Sequence, residues 1–349
     1  LRHIFDRFHI DGYLISKNDE FFSEYVSKKK DRLNYITNFT GTYGFALILK
    51  NKNYLFVDGR YTLQANNESG KFFKIFTFPN VMPYQFLRNK NLKIGFDPKL
   101  FTSKTLDIFF TKSKCNFKPI YKNLIDEIWK RRTNKNEKKF FLLPDRFTSV
   151  HFKQKIKKII NHLKNKNADF QFITASENSA WLLNLRGFDE EYSPIPHSYI
   201  LINKYKEIKF FCNLKKISSS LRKKLKNVKF LDLNSVASNL REIRQKKFII
   251  DKNTCSNYYE NIISDNNKVL NFEDPIYSYK AIKNKTEIKN IINTHLHDGA
   301  ALTKYLFWVK KNFIKKKITE ISGSRKLLSL RKKNKKFRFL SFPTISGTG

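Results

Sequence analysis

The amino-acid sequence predicts an α/β protein: two tandem, duplicated domains with mixed sheets, followed by the beginning of a third unit. Three observations carry that prediction. Strand-like and helix-like segments alternate through most of the 349 residues, a length that accommodates two domains and a further piece. The order strand, helix, Asn-x-x-Gly turn, hairpin occurs twice, first as IDGYLIS, NYITNFTG and FALILKNKNYLFVD, then as ADFQFIT, AWLLNLRG and YILINKYKEIKFFC. Two copies are too few for a solenoid and indicate duplication of one fold. Residues 280–349 hold material for two helices and one strand, which cannot close a core.

The first domain, residues 1–130, opens with a short helix over 1–8 and a strand over 12–16. A charged loop to Lys30, a helical turn over 33–37 and a polar glycine turn over 38–44 follow. Runs 45–50 and 54–58, joined by Asn51, Lys52 and Asn53, make a hairpin. DGRYTLQA (58–65) passes from strand to helix; a strand near 72–76, a helix around 83–89, a strand over 93–96 and a helix from Ser103 continue the alternation, and 124–129 closes it. The charged run beyond Trp129 marks a linker over 131–145.

In the second domain, residues 146–277, a helix over 149–163 carries Phe152, Ile156, Ile159, Ile160 and Leu163 on one face. A strand over 170–174 follows, and the copy finishes with segments 214–225, 228–231 and 248–250 and a helix after Asn253. The third unit covers 278–349. Asn284 and Glu287 have the spacing of an N-cap and its reciprocal carboxylate, so a helix starts there. Ile288, Ile291, Ile292, His295, Leu302, Tyr305, Leu306 and Val309 form one apolar stripe that needs a partner surface. Thr319 or Ser322 caps a second helix, and 337–342 reads as a strand entering a glycine turn at 346–349. The chain opens at Leu1 within a helix-like segment and stops within this unit, so both ends are expected to be cut.

Sixty-nine Lys and Arg against 30 Asp and Glu give a net charge of +39, which ordinarily points to nucleic acid or an anionic membrane. Here Lys and Asn are spread along the whole chain and no basic stripe carries interleaved stacking aromatics, so the charge reads as compositional drift. Cys115, Cys212 and Cys255 are far apart and lack metal spacing, which predicts buried, reduced thiols. No apolar run approaches about 18 residues, and no signal-peptide pattern is present.

SEYV (23–26), DGRYTLQA, NLIDEIW (123–129), AWLLNLRG (180–187), KAIKN, HDGAAL (297–302) and LSFPTISGTG (340–349) recur in an order and spacing that resemble the long, three-domain aminopeptidase P, the Xaa-Pro aminopeptidases. One departure is Phe21 and Phe22, where that family often has histidine and glutamine. The resemblance implies two creatinase-like N-terminal domains and the N-terminal part of a pita-bread, α+β catalytic domain. It implies a cytoplasmic homodimer that removes the first residue from peptides with proline second. Two divalent metal ions, usually manganese, would do so, held by two aspartates, a histidine and two glutamates. By resemblance those ligands lie beyond Gly349. The chain is thus expected to lack catalytic and metal residues and to be inactive alone. Arg60 in DGRY is the residue the family places toward the peptide, a role that suits a permanently charged guanidinium; the plainer alternative is that it pairs with Asp58 or a helix end.

Other candidates carry less. His295 and His297 lie two apart on a helix and face different directions. Trp181 and Trp308 sit in apolar runs, as core or interdomain anchors. Asp189, Glu190 and Glu191 read as a solvated acidic loop. Two further functions stay open at this point: a non-catalytic or differently specific creatinase-fold paralogue, and a basic nucleic-acid-binding protein. The preferred partner is a proline-containing peptide, with no specific nucleic acid and no membrane.

Overall fold

The structure is a computed structural model describing residues 1–130, 138–315 and 317–347. The core of the expected linker, residues 131–137, and the end of the glycine turn, Thr348 and Gly349, lie outside the described residues.

The first sheet comprises β1 (Gly12–Ser16), β2 (Gly44–Leu49), β3 (Asn53–Asp58), β4 (Lys74–Phe78), β5 (Lys93–Phe96) and β6 (Asn116–Pro119). Its order is β4-β3-β2-β1-β5-β6. β2 is antiparallel to β1 and β3, and the remaining pairs are parallel. β1 and β2 are buried at every position because both faces are covered. Tyr13, Ile15, Ala46, Ile48, Leu55 and Val57 face one core with Leu33 and Phe39. Their alternates Leu14, Phe45, Leu47 and Phe56 face the other, with Phe109 and Phe110.

A two-stranded ribbon pairs β7 (Phe141–Leu142) with β9 (Leu185–Arg186), and Lys139 and Phe140 bond to Lys215 and Lys216, so the chain is tied to the second domain from Lys139 onward. β8 (Phe170–Ile173) lies between them in sequence; β10 (Ser198–Asn203), β11 (Ile208–Cys212), β12 (Val228–Asp232), β13 (Lys247–Ile250) and β14 (Lys268–Asn271) follow. The second sheet runs β12-β11-β10-β8-β13-β14. Strand for strand it has the order and sense of the first, which establishes the duplication. Its helix Phe152–Asn165 buries Phe152, Ile156, Ile159, Ile160 and Leu163, the face anticipated from spacing.

The repeated Asn-x-x-Gly turn has a backbone cause. Asn38 and Asn184 both adopt left-handed φ values, 64° and 52°, after their helices, a conformation that asparagine tolerates better than most residues. The glycines are sterically required: a Cβ at Gly41 would lie 2.2 Å from the Phe39 ring, and one at Gly187 would lie 2.8 Å from Pro196 Cα.

Beyond the second domain, Asn284 caps the helix Lys285–Asn312. Its Oδ1 accepts from the amides of Thr286 (3.0 Å) and Glu287 (2.9 Å), and Glu287 Oε2 accepts from the Asn284 amide at 2.9 Å. Thr319 caps Glu320–Arg331, which packs back through an Arg331–Asp298 pair bonded at 2.6 and 3.0 Å. Ile288, Ile291, Ile292, Leu302 and Leu306 stay exposed among the described residues. Two sequence expectations are corrected. Residues 337–342 form no strand, since no described strand lies beside them to complete a ladder. Cys212 and Cys255 are buried free thiols, but Cys115 is only half-buried, its Sγ 3.3 Å from the Lys90 carbonyl.

Candidate functional site

β1, β3 and β4 end, and β2 begins, at one edge of the first sheet. Carboxyl ends of strands are where open α/β sheets bind ligands. The loop after β1 contains SEYV, the turn before β2 is the first glycine turn, and the turn after β3 is DGRY. They surround a cavity of about 410 Å³, lined by Phe22, Ser23 and Glu24 from the first, Tyr43 from the second, and Asp58 and Arg60 from the third.

Arg60 lies in the 3-10 turn Gly59–Tyr61, which Asp58 caps. Asp58 Oδ1 accepts from the Arg60 amide at 2.9 Å and from Arg60 Nε at 2.8 Å. That pairing with Asp58 is the plainer role considered for Arg60, yet it uses only the inner nitrogen. The two terminal nitrogens have no hydrogen bond among the described residues, and the side chain is 73% exposed. The hydrogen bond from Arg60 holds the Asp58 carboxyl below the usual range. The rim thus carries fixed charges of both signs, Arg60 against Asp58 and Glu24, which suits a zwitterionic ligand.

Phe22 takes a left-handed φ of 55°, strained for a bulky side chain and costing on the order of 1 kcal/mol. Asp19 holds it there: its Oδ1 accepts from the flanking amides of Phe21 (3.0 Å) and Ser23 (3.1 Å). The same loop reaches the second domain. Ser23 Oγ lies 3.1 Å from His197 Nε2, and Phe21 stacks on His197 at 4.3 Å and on Tyr199 at 5.1 Å between centroids. An apolar ring at position 21 is accommodated because it joins an aromatic stack between domains.

The acidic segment 189–191 is not a solvated loop. Asp189 pairs with Lys216 and accepts from the His197 amide at 2.8 Å, and the side chains of Asp189 and Glu190 are 7% and 9% exposed; Glu191 alone faces solvent. Lys216, 27 residues beyond Asp189, and His197 at the end of the same loop supply the partners that make burial tolerable. Burial pushes the Glu190 carboxyl up to about 7, with Asp19 and Glu177 acting in the same direction, while burial pushes His197 down.

Glu190 stabilises the fold in its neutral form. That contribution is complete below its ordinary value of 4.5 and lost as pH rises through about 7. Glu190→Gln is therefore expected to raise the melting temperature at pH 8 and to change it little near pH 4.5. Thermal unfolding across that range checks this; a variant less stable than the parent at pH 8 would refute it.

His295 and His297 are exposed, and among the described residues no group of three or more His, Cys, Asp or Glu could hold a metal ion. Trp181 packs on the second core under the Lys155 ammonium, 4.0 Å from its ring. Lys155, unnoticed in the sequence, is buried and donates to the Trp181 carbonyl (2.9 Å) and Asn184 Oδ1 (2.6 Å); burial lowers it to about 8. Trp308 stacks on Tyr305 with Lys326 over its ring.

Comparison with known proteins yields two family matches, both described as the creatinase/prolidase N-terminal domain, over residues 1–128 and 131–287. A probable Xaa-Pro aminopeptidase P of Laccaria bicolor is 31% identical over 367 residues, covering 100% of this chain and 57% of that protein. Xaa-Pro aminopeptidase 1 of Dictyostelium discoideum is 30% identical, covering 97% and 57%. The crystal structure of an X-prolyl aminopeptidase from Caenorhabditis elegans, described as a cytosolic enzyme with a di-nuclear active site, superposes with a TM-score of 0.89 at 27% identity, covering 97% of this chain and 58% of that one. The chain thus spans less than two thirds of the length of these relatives.

Proposed function

Because both of its complete domains are creatinase/prolidase N-terminal domains, the chain belongs to that family, and on that premise we propose that it is the substrate-positioning scaffold of an Xaa-Pro aminopeptidase. The observation that supports this reading is the convergence of SEYV, the first glycine turn and DGRY on one cavity, with the outer nitrogens of Arg60 facing solvent. A guanidinium held by its inner nitrogen keeps two parallel donors for a peptide carboxylate or carbonyl. A substrate with proline second has no amide hydrogen at that residue and a fixed φ, so it must be gripped through other groups.

The di-nuclear centre belongs, in this proposal, to residues outside these 349. The residues described here do not fit a two-metal site, since no three His, Cys, Asp or Glu side chains among them converge so as to hold an ion, and no hydrolytic step is assigned to them. The manganese ions, the homodimer and the cytoplasmic location implied by the resemblance are parts of the same proposal. The 349-residue chain, incubated with manganese and an Xaa-Pro peptide, is expected to release no N-terminal residue above a contaminant control. Manganese-dependent turnover that purifies with the chain would overturn this assignment of roles.

A further inference from the structure

A second cavity, of about 310 Å³, lies between the two complete domains, and the proposed peptide site makes no use of it. Phe21, Tyr199, Tyr258 and Tyr259 line one side of it, part of a run of aromatic rings that leaves the first domain, crosses the second and returns to Tyr121 outside the lining. Centroids are 5.1 Å apart from Phe21 to Tyr199, 5.3 Å from Tyr199 to Tyr259, 5.1 Å from Tyr259 to Tyr258, and 5.9 Å from Tyr258 to Tyr121. Main-chain bonds pin the domains beside it: the Asn257 amide donates to the Phe101 carbonyl (2.8 Å) and the Tyr258 amide to the Pro98 carbonyl (2.9 Å).

A lysine of the first domain stands near each end of the run. Lys30 Nζ is 5.0 Å from the Phe21 centroid, and Lys99 Nζ is 5.0 Å from that of Tyr258. Their partners differ. Lys30 bonds Glu20 at 2.6 Å. Lys99 is half-buried and has no carboxylate partner among the described residues, where the Tyr258 and Tyr259 hydroxyls also lack hydrogen bonds. Lys99 and the two tyrosines therefore line a small cavity beside the Glu20–Lys30 ion pair and the rings of Phe21 and Tyr199.

We propose that this interdomain cavity binds a small anion bearing a planar ring, with its phosphate or carboxylate on Lys99 and the two tyrosine hydroxyls and its ring against the aromatic wall. The volume is at the lower end for ligand sites, which fits one ring and one anionic group. Aromatic stacking and a charge-assisted hydrogen bond supply selectivity that a surface lysine alone cannot. Because both domains form the wall, an occupant also stabilises their docking by linkage.

The test is calorimetric titration of the chain, at fixed ionic strength, with adenosine monophosphate, N-acetylphenylalanine and inorganic phosphate. The first two distinguish a nucleotide from an aromatic carboxylate as the source of the anion. At least one of them is expected to bind saturably, roughly tenfold or more tighter than phosphate, and to raise the melting temperature. Lys99→Ala is expected to weaken it by roughly tenfold or more, and Lys99→Arg to restore it. Tyr258→Phe removes only a hydroxyl and should weaken binding with the fold intact. No saturable binding by either ring-bearing anion, phosphate binding as tightly as they do, or unchanged affinity in Lys99→Ala would each overturn the proposal.

Discussion

Replacing Arg32 by Met is expected to destabilise the chain by about 3 kcal/mol, read as a lower urea midpoint at an unchanged denaturant slope. The Arg32 side chain is 4% exposed and bonds Asp126 through Nε and Nη2, both at 2.9 Å, while Nη2 also reaches Glu20 at 2.9 Å. Met keeps much of the volume but leaves Asp126 without that bidentate partner and Glu20 with Lys30 alone. Exposure of about a third at the carboxylates places the cost at the low end for a buried pair. The acid limb should shift as well. Burial opposes ionisation of Glu20, but Lys30 and Arg32 outweigh it and hold the carboxyl at about 2. Its contribution is present above the ordinary value of 4.5 and lost as pH falls through about 2. Without Arg32 that loss begins at higher pH. The effect extends to the second domain, because Tyr199 donates to the Glu20 carbonyl. A loss below about 1 kcal/mol would mean that the network behaves as an ordinary surface pair.

What could be read from the sequence followed how local its cause was. β1 and β5 appeared with their observed bounds because short apolar runs flanked by polar residues have few alternatives. β4 lies two residues beyond its expected place: Phe72 looks strand-like, but it is 67% exposed in the turn after the helix Thr62–Ser69. β6 and β14 escaped notice because each is an edge strand with one neighbour and mixed burial, and its pairing fixes it more than its composition does. The capping box at Asn284 was legible because every atom in it lies within four residues. At the candidate site, DGRY and SEYV were visible as motifs, whereas their meeting was not. Ser23 and His197 are 174 residues apart, and His197 lies just outside the segment YILINKYKEIKFFC that reads as a hairpin. Three consecutive acids suggested solvent exposure until Lys216 was brought to Asp189 by the fold.

Arg60 is the group proposed to hold the peptide. The direct measurement is steady-state kinetics of Arg60→Ala in a version of the protein competent for Xaa-Pro hydrolysis, with short peptides as substrates. Arg60 is exposed and its turn is capped by Asp58 through the main chain, so the variant should fold as the parent does. Loss of one charge-assisted contact made in both ground and transition states raises KM by roughly tenfold and leaves kcat within about twofold. Arg60→Lys, a point charge without the planar fork, should recover only part of the loss. An unchanged KM in Arg60→Ala would contradict the assignment and leave Arg60 as a partner of Asp58 alone.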